Sequence, residues 1–380
     1  MKQNTKLLHE YTNTDYCTGA SSIPIYQAST YDQRGEIGER EYTYTRFGNP
    51  TVKVLEEAIA DLENARYGFA FSSGMAAISA AFHSVLKMGD HVVMPKNVYG
   101  GAFQLVMDIL KDYGIEVTFV EENTNEAWKN AIQINTRAFY VETPSNPLLT
   151  IIDIKKVVEI ANHHKIFTIM DNTFMTPLYQ KGLELGIDIV VHSATKFING
   201  HSDVTAGLVV TSNEKLSEKI GLNQKANGAI LGPFDAWLIL RGLKTLKIRM
   251  SASIKNAEQM ALFLNDHPKI KKVFYPGLSH HKGRAIHQQQ ATENGAVLSF
   301  DVGSKENVFK IFSSVQYPIV AVSLGGVESI LSYPCEMSHA SVPEKERLSQ
   351  GITDGLIRFS LGIEDIEDLV EDIDQALDSL

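Results

Sequence analysis

Apolar positions along this chain fall into two rhythms. From Phe69 onward, short runs rich in β-branched and aromatic residues recur: Gly68–Phe71, His91–Met94, Glu116–Val120, Ala138–Glu142, Ile166–Asp171, Ile187–Val191 and Leu208–Thr211. Runs of this length and composition predict strands. Longer segments of helical character, such as Met75–Met88 and Phe103–Tyr113, lie between them. Strands apolar on both faces, alternating with helices, predict an α/β fold: a central, mostly parallel sheet covered by helices on both faces. A further helix reads from Thr51 to Leu62, with Val54, Leu55, Ile59 and Leu62 on one face and Asn49-Pro50 as its start signal.

The two ends of the chain read differently. Residues 1–46 look irregular: Gly19-Ala20-Ser21-Ser22-Ile23-Pro24 and Gly35-Glu36-Ile37-Gly38 break any period, and Tyr42, Tyr44 and Arg46 follow. Such an arm is poorly ordered unless it docks on something. After a helix-rich passage, Asp235–His267, comes a second unit with antiparallel-looking strands Ala296–Val302 and Val320–Ser323, closed by an acidic helix, Ile366–Leu380. The expected division is an arm 1–46, a large domain 47–241 and a smaller α+β C-terminal domain 242–380.

Composition narrows the classes. Of 380 residues, 44% are hydrophobic and 21% charged, an ordinary soluble globular mixture. A net charge of -10 argues against nucleic acid or an anionic membrane as the main partner. Cys17 and Cys335 are far apart, with no zinc-type spacing, and the N-terminus lacks an apolar signal core. A cytoplasmic protein without membrane spans is expected. No HExxH, P-loop, post-strand GxGxxG or GxSxG occurs, so metal, nucleotide-hydrolysis, dinucleotide-redox and serine-hydrolase chemistries lack their signatures.

The chemistry concentrates at strand ends. Ile169-Met170-Asp171-Asn172-Thr173 ends in an acid, and Ile187-Asp188-Ile189-Val190-Val191-His192-Ser193-Ala194-Thr195-Lys196 ends in Ser, Thr and Lys. Ligands of open α/β sheets sit at carboxyl ends of strands, so Asp171 and Lys196 could face one pocket. A carboxylate to hold a proton on a pyridine nitrogen, with an amine to condense with an aldehyde, is what pyridoxal 5'-phosphate (PLP) requires.

Four further signals each admit a plainer alternative. Ser72-Ser73-Gly74-Met75 opens a helix whose N-terminus suits phosphate, or is a tight turn with a serine cap. Tyr99, before Gly100-Gly101, can stack on a planar ring, or is a surface-loop tyrosine. Asn146 can hydrogen-bond a cofactor hydroxyl or a carboxylate, or simply builds a turn with its prolines. Arg358, alone in the apolar segment Leu356–Ser360, can hold a substrate carboxylate or a structural ion pair.

Taken in order, these segments resemble the Cys/Met-metabolism family of PLP enzymes over essentially the whole chain. The likeness runs through Pro24-Ile25-Tyr26-Gln27, Tyr44-Thr45-Arg46, Asn49-Pro50-Thr51, Ser72–Ala77, Glu142–Pro147, Asp171–Phe174, His192–Lys196, Ser323-Leu324-Gly325-Gly326, Ser338-His339-Ala340-Ser341 and Arg358. It implies PLP-dependent transferase fold type I (aspartate-aminotransferase-like), with 47–241 binding the cofactor. Lys196 is then the covalent anchor, Asp171 the ring-nitrogen partner and Tyr99 the stacking ring. Gly74 and Met75 amides with the Ser193 and Thr195 hydroxyls hold the phosphate. Tyr44 and Arg46 reach it from a neighbouring subunit, which makes the enzyme a homo-oligomer, a dimer of dimers sharing sites. Lys196, Tyr99 and Tyr44 form the catalytic set, while Asn146, Ser323 and Arg358 receive the α-carboxylate of an amino-acid substrate.

Within the family, Ile319–Gly325 and Tyr333–His339 look most like cystathionine β-lyases. Relatives acting at Cγ often carry Glu before Ser-Leu-Gly-Gly, where this chain has Val322. The alternatives are a cystathionine γ-lyase or homocysteine desulfhydrase, and an O-acylhomoserine-dependent γ-synthase. Two departures from the family pattern, Ala102 after Tyr-Gly-Gly and Phe197-Ile198-Asn199-Gly200 after the lysine, bear on the pocket edge.

Overall fold

All seven short runs become strands of one sheet in the computed structural model, which describes residues 1–10, 15, 17–35, 37–121, 124–340 and 342–380. They are β1 Tyr67–Phe71, β2 His91–Pro95, β3 Glu116–Val120, β4 Thr136–Glu142, β5 Phe167–Asp171, β6 Ile189–Ser193 and β7 Gly207–Thr211, in the order β1-β7-β6-β5-β4-β2-β3. The chain belongs to the α/β class. Strands β6, β5, β4, β2 and β3 pair in parallel, whereas β7 runs antiparallel to both β6 and β1. The reversal has a local cause. No crossover helix separates β6 from β7, and a direct return can only pair antiparallel. Ser193 pairs with Gly207, so the connection carrying Lys196 sits at the carboxyl edge of the parallel strands.

Side chains alternate across the sheet and feed two apolar layers. Val93, Phe139, Val141, Met170 and Val190 enter one, and Val92, Met94, Ala138, Ile169, Ile189 and Val191 enter the other. The helix Pro50–Leu62 begins where expected, because the Asn49 side chain accepts from Thr51 N–H and Val52 N–H. The helix Gly74–Val85 stops short of the predicted Met88, and exposed Met88 lies in the turn before β2. Phe103–Tyr113 is not one helix: a short α-helix, Gly100–Gln104, passes into a π-helical turn, Leu105–Leu110.

The second sheet contains β8 Lys272–Phe274, β9 Val297–Asp301, β10 Ile319–Val320, β11 Ile330–Ser332 and β12 Leu356–Ser360, ordered β10-β11-β12-β9-β8. The expected strand Val320–Ser323 is corrected here. Pairing covers only Ile319–Val320, it is parallel to β11, and Ser323 lies beyond it at φ 91°. Strands β8 and β11 are too short to register as runs in the sequence. The helices Leu246–Asp266, Lys305–Ser314 and Ile366–Asp378 supply the apolar residues packed with this sheet.

The arm is not wholly irregular. Gln3–His9 is helical with Leu7 buried, and Thr30 forms an isolated bridge with Tyr44. Glu36 of the Gly35–Gly38 break and Ser341 of the Ser338–Ser341 segment lie outside the described residues, as do Tyr11–Thr14. Among the described residues, no helix is long and apolar enough to cross a membrane.

Candidate functional site

Strand β2 is followed by β3 on one side in the sheet and by β4 on the other. Open α/β sheets bind ligands at the carboxyl edge of such a switch point. A cavity of about 530 Å³ opens there, within the size range of small-molecule sites. It is lined by Gly74, Met75, Tyr99, Asn146, Asp171, Ser193, Thr195, Lys196, Ser323 and Arg358, residues scattered across most of the chain.

Asp171 and Lys196 approach from adjacent parallel strands, Asp171 ending β5 and Lys196 just past β6. The Asp171 carboxyl is buried and accepts from Thr173 N–H at 2.9 Å. Burial pushes its proton affinity up, while hydrogen bonds from Thr173 work against that. Lys196 Nζ donates to Ser323 Oγ at 2.6 Å, and burial followed by the nearby Arg358 guanidinium brings its amine down to about 8. A lysine in that range carries far more neutral amine near neutral pH than one at the ordinary value.

Arg358, on the central strand β12, is 2% exposed. Its Nη1 donates to Asn146 Oδ1 at 3.0 Å, its Nη2 to the Ser323 carbonyl and to Ser332 Oγ at 2.9 Å, and its Nε has no partner. All three acceptors are neutral. A buried guanidinium with neutral partners and one orphaned N–H is poised for an anion. Ser323 carries its own cost: a serine at φ 91° stores on the order of 1–3 kcal/mol, held by the Arg358 contact and by Gly325 N–H donating to Ser360 Oγ.

On the opposite wall, Ser73 caps its helix by accepting from Ala76 N–H at 3.1 Å. That leaves the N–H groups of Gly74 and Met75 without intrahelical acceptors, at the positive end of the helix dipole. A Cβ at Gly74 would lie 2.8 Å from the Ser193 Cβ and Oγ, so the helix start and the end of β6 form a cradle with no room for a side chain. The Thr195 hydroxyl is engaged with Ala206, donating to its carbonyl at 3.2 Å and accepting from its N–H at 2.9 Å. The Tyr99 ring lies against Gly101, where a Cβ would meet it at 2.6 Å.

These features suit PLP: an anion cradle, a buried carboxyl, a low-pKa lysine and an aromatic ring around one cavity. Tyr44 and Arg46 are not brought to it. Tyr44 is 41% exposed and Arg46 Nη1 donates to the Lys225 carbonyl at 2.7 Å. Among the described residues, no group of three His, Cys, Asp or Glu side chains is placed to share a metal ion.

The sequence reading assigned no role to Glu142, Tyr140 or Arg249. Glu142 ends β4 beside Asp171 with the same strand-end signal that exposed Asp171. Arg249 is buried and donates to the carbonyls of Phe197 at 2.8 Å, Ile198 at 3.3 Å and Gly242 at 2.9 Å, bracing the turn after Lys196. Nothing local in the sequence marks it.

A family model described as Cys/Met metabolism PLP-dependent enzyme matches residues 4–378. A cystathionine beta-lyase of Bacillus subtilis is 51% identical over 373 residues, spanning 98% of this chain and 95% of that protein. A cystathionine gamma-lyase of the same organism is 47% identical over 380 residues, spanning all of both. The solved structure of cystathionine gamma-lyase from Lactobacillus plantarum, complexed with L-serine, superimposes with a TM-score of 0.96 at 43% identity, covering 100% of this chain and 99% of that one. Relatives with two different reactions are thus nearly equally similar.

Proposed function

The chain belongs to the Cys/Met-metabolism family of PLP-dependent enzymes, and from that premise we propose that it is a carbon–sulfur lyase. In this reading it splits L-cystathionine and water into homocysteine, pyruvate and ammonia. The observation that carries the β-cleavage assignment is Val322, which lines the cavity immediately before Ser323 where relatives acting at Cγ often carry Glu. An apolar wall there offers no carboxylate to a longer substrate.

Bound PLP supplies a sink for the negative charge left at the substrate Cα. The Gly74 and Met75 amides with the Ser193 hydroxyl would hold its phosphate, the Thr195 hydroxyl would join them on turning its hydrogen away from the Ala206 carbonyl, and Tyr44 and Arg46 of a second copy would complete that cradle. Asp171 would keep a proton on the ring nitrogen, and the Tyr99 ring would stack on the cofactor. Arg358, oriented by Asn146 and Ser323, receives the α-carboxylate. Lys196 would anchor the cofactor, and its Nζ as a free neutral amine would take the Cα proton. Lys196 or Tyr99 then gives a proton to the departing sulfur. The tyrosine suits delivery, because burial and then the Glu142 and Asp171 carboxyls raise its proton affinity.

We read the assembly as a cytoplasmic dimer of dimers, with arm 1–46 crossing to the neighbour, 47–241 holding the cofactor and 242–380 the carboxylate site. Products formed from L-cystathionine by the PLP-loaded enzyme test the assignment. Homocysteine with pyruvate is expected. Cysteine with 2-oxobutyrate would make it a γ-lyase, and cystathionine synthesis from an acylated homoserine would make it a γ-synthase.

A further inference from the structure

The Val98–Tyr99 peptide is gripped at both polar ends by side chains from distant parts of the chain. Its N–H donates to Glu142 Oε2 at 2.8 Å, and its carbonyl accepts from His339 Nε2 at 3.3 Å. The other Glu142 oxygen accepts from the Asn146 N–H at 2.8 Å, and Asn146 Oδ1 in turn accepts from Arg358 at 3.0 Å. Both gripping side chains are buried, Glu142 6% and His339 1% exposed.

The partners of His339 fix where its proton lies. A carbonyl can only accept, so His339 Nε2 carries the hydrogen and Nδ1 accepts from Ser338 Oγ at 2.9 Å. That arrangement needs a neutral ring, and burial holds His339 down to about 4. Glu142 spans the switch point, reaching from the end of β4 to the turn after β2. The groups packed around it are the Asp171 carboxyl alongside and the backbone N–H groups of Tyr99 and Asn146. No room exists at Gly100 for adjustment either, since a Cβ there would lie 2.1 Å from the Ser338 carbonyl oxygen.

We propose that Glu142 and His339 are positioning residues that set the placement of the Tyr99 ring and, through Asn146, the placement of the Arg358 guanidinium relative to it. Neither takes part in proton or bond transfer. A shift of one peptide would move the stacking ring and the carboxylate anchor out of register, and displacements near 1 Å cost activity heavily. The inference rests on the reading of the cavity as a PLP and amino-acid site.

The test uses Glu142→Gln, Glu142→Ala, His339→Gln and His339→Ala. PLP affinity is measured by fluorescence titration of cofactor-depleted protein. L-alanine affinity is measured from absorbance changes of the PLP-loaded protein, and thermal melting accompanies both. Loss of one hydrogen bond to a buried group predicts about tenfold weaker PLP and L-alanine binding in Glu142→Gln, and more in Glu142→Ala. His339→Gln keeps an N–H donor and should bind PLP several-fold tighter than His339→Ala. Variants that melt earlier yet keep both affinities within about twofold of wild type would reduce these residues to scaffold and overturn the proposal. Wild-type protein that binds neither PLP nor L-alanine would overturn the underlying reading of the cavity instead.

Discussion

Lys196 Nζ donates to the Ser323 hydroxyl at 2.6 Å, joining positions 127 residues apart in the chain. The amine comes from the turn that reverses the first sheet, and the hydroxyl from the loop beyond β10. Burial and Arg358 lower the amine to about 8, so it is half neutral near that pH rather than near the ordinary value of 10.5. Neutral amine is the reactive form, hence labelling rises as pH rises through the pKa. In cofactor-depleted protein, acylation of Lys196 followed by peptide mapping should show a midpoint near pH 8. Removing the acceptor in Ser323→Ala disfavours the ammonium form and should move that midpoint lower. A wild-type midpoint close to that of surface lysines would contradict the assignment.

Replacement of Lys196 by Ala removes the only lysine amine among the described residues that line the cavity. Turnover should vanish, and borohydride should no longer fix the cofactor to the chain. Retained turnover would sink the proposed mechanism.

Arg358 tests the carboxylate site. Loss of a hydrogen-bonded charge pair is worth about 1.5–3 kcal/mol, so Arg358→Ala should raise KM roughly 10- to 100-fold while affecting kcat less. Steady-state kinetics with L-cystathionine decides this, and an unchanged KM argues against the role.

Gly207 starts β7 beneath the helix Gly74–Val85. A Cβ there would lie 2.1 Å from the Ser73 carbonyl oxygen and 2.7 Å from the Ala77 Cβ. Backbone cannot swing aside as a side chain can, so Gly207→Ala must lift the helix start off the sheet, at about 1–3 kcal/mol. Weaker PLP binding together with a lower melting temperature is expected. Normal PLP affinity would mean that the cradle does not depend on this contact.

How much was legible beforehand differs by residue. Asp171 and Lys196 stood out because a polar group closing an apolar strand is a local signal. Glu142 gave the same signal, but in its segment Asn146 reads as the hydrogen-bonding residue and the prolines as turn formers. Arg249 gave none, since the acceptors that tie it to the turn after Lys196 are backbone carbonyls that every residue possesses.

Hydrophobic period and strand-end chemistry, both local properties, determined the strands of the first sheet, the helix Pro50–Leu62, the α/β class and the acid and lysine at its edge. Tertiary packing alone decided that Ser323 sits outside a strand and that Arg358 meets Asn146 across 212 residues of chain. The reason is that a buried polar group must find its partner wherever two packed layers bring one. Sequence spacing does not record which residues two sheets will bring together.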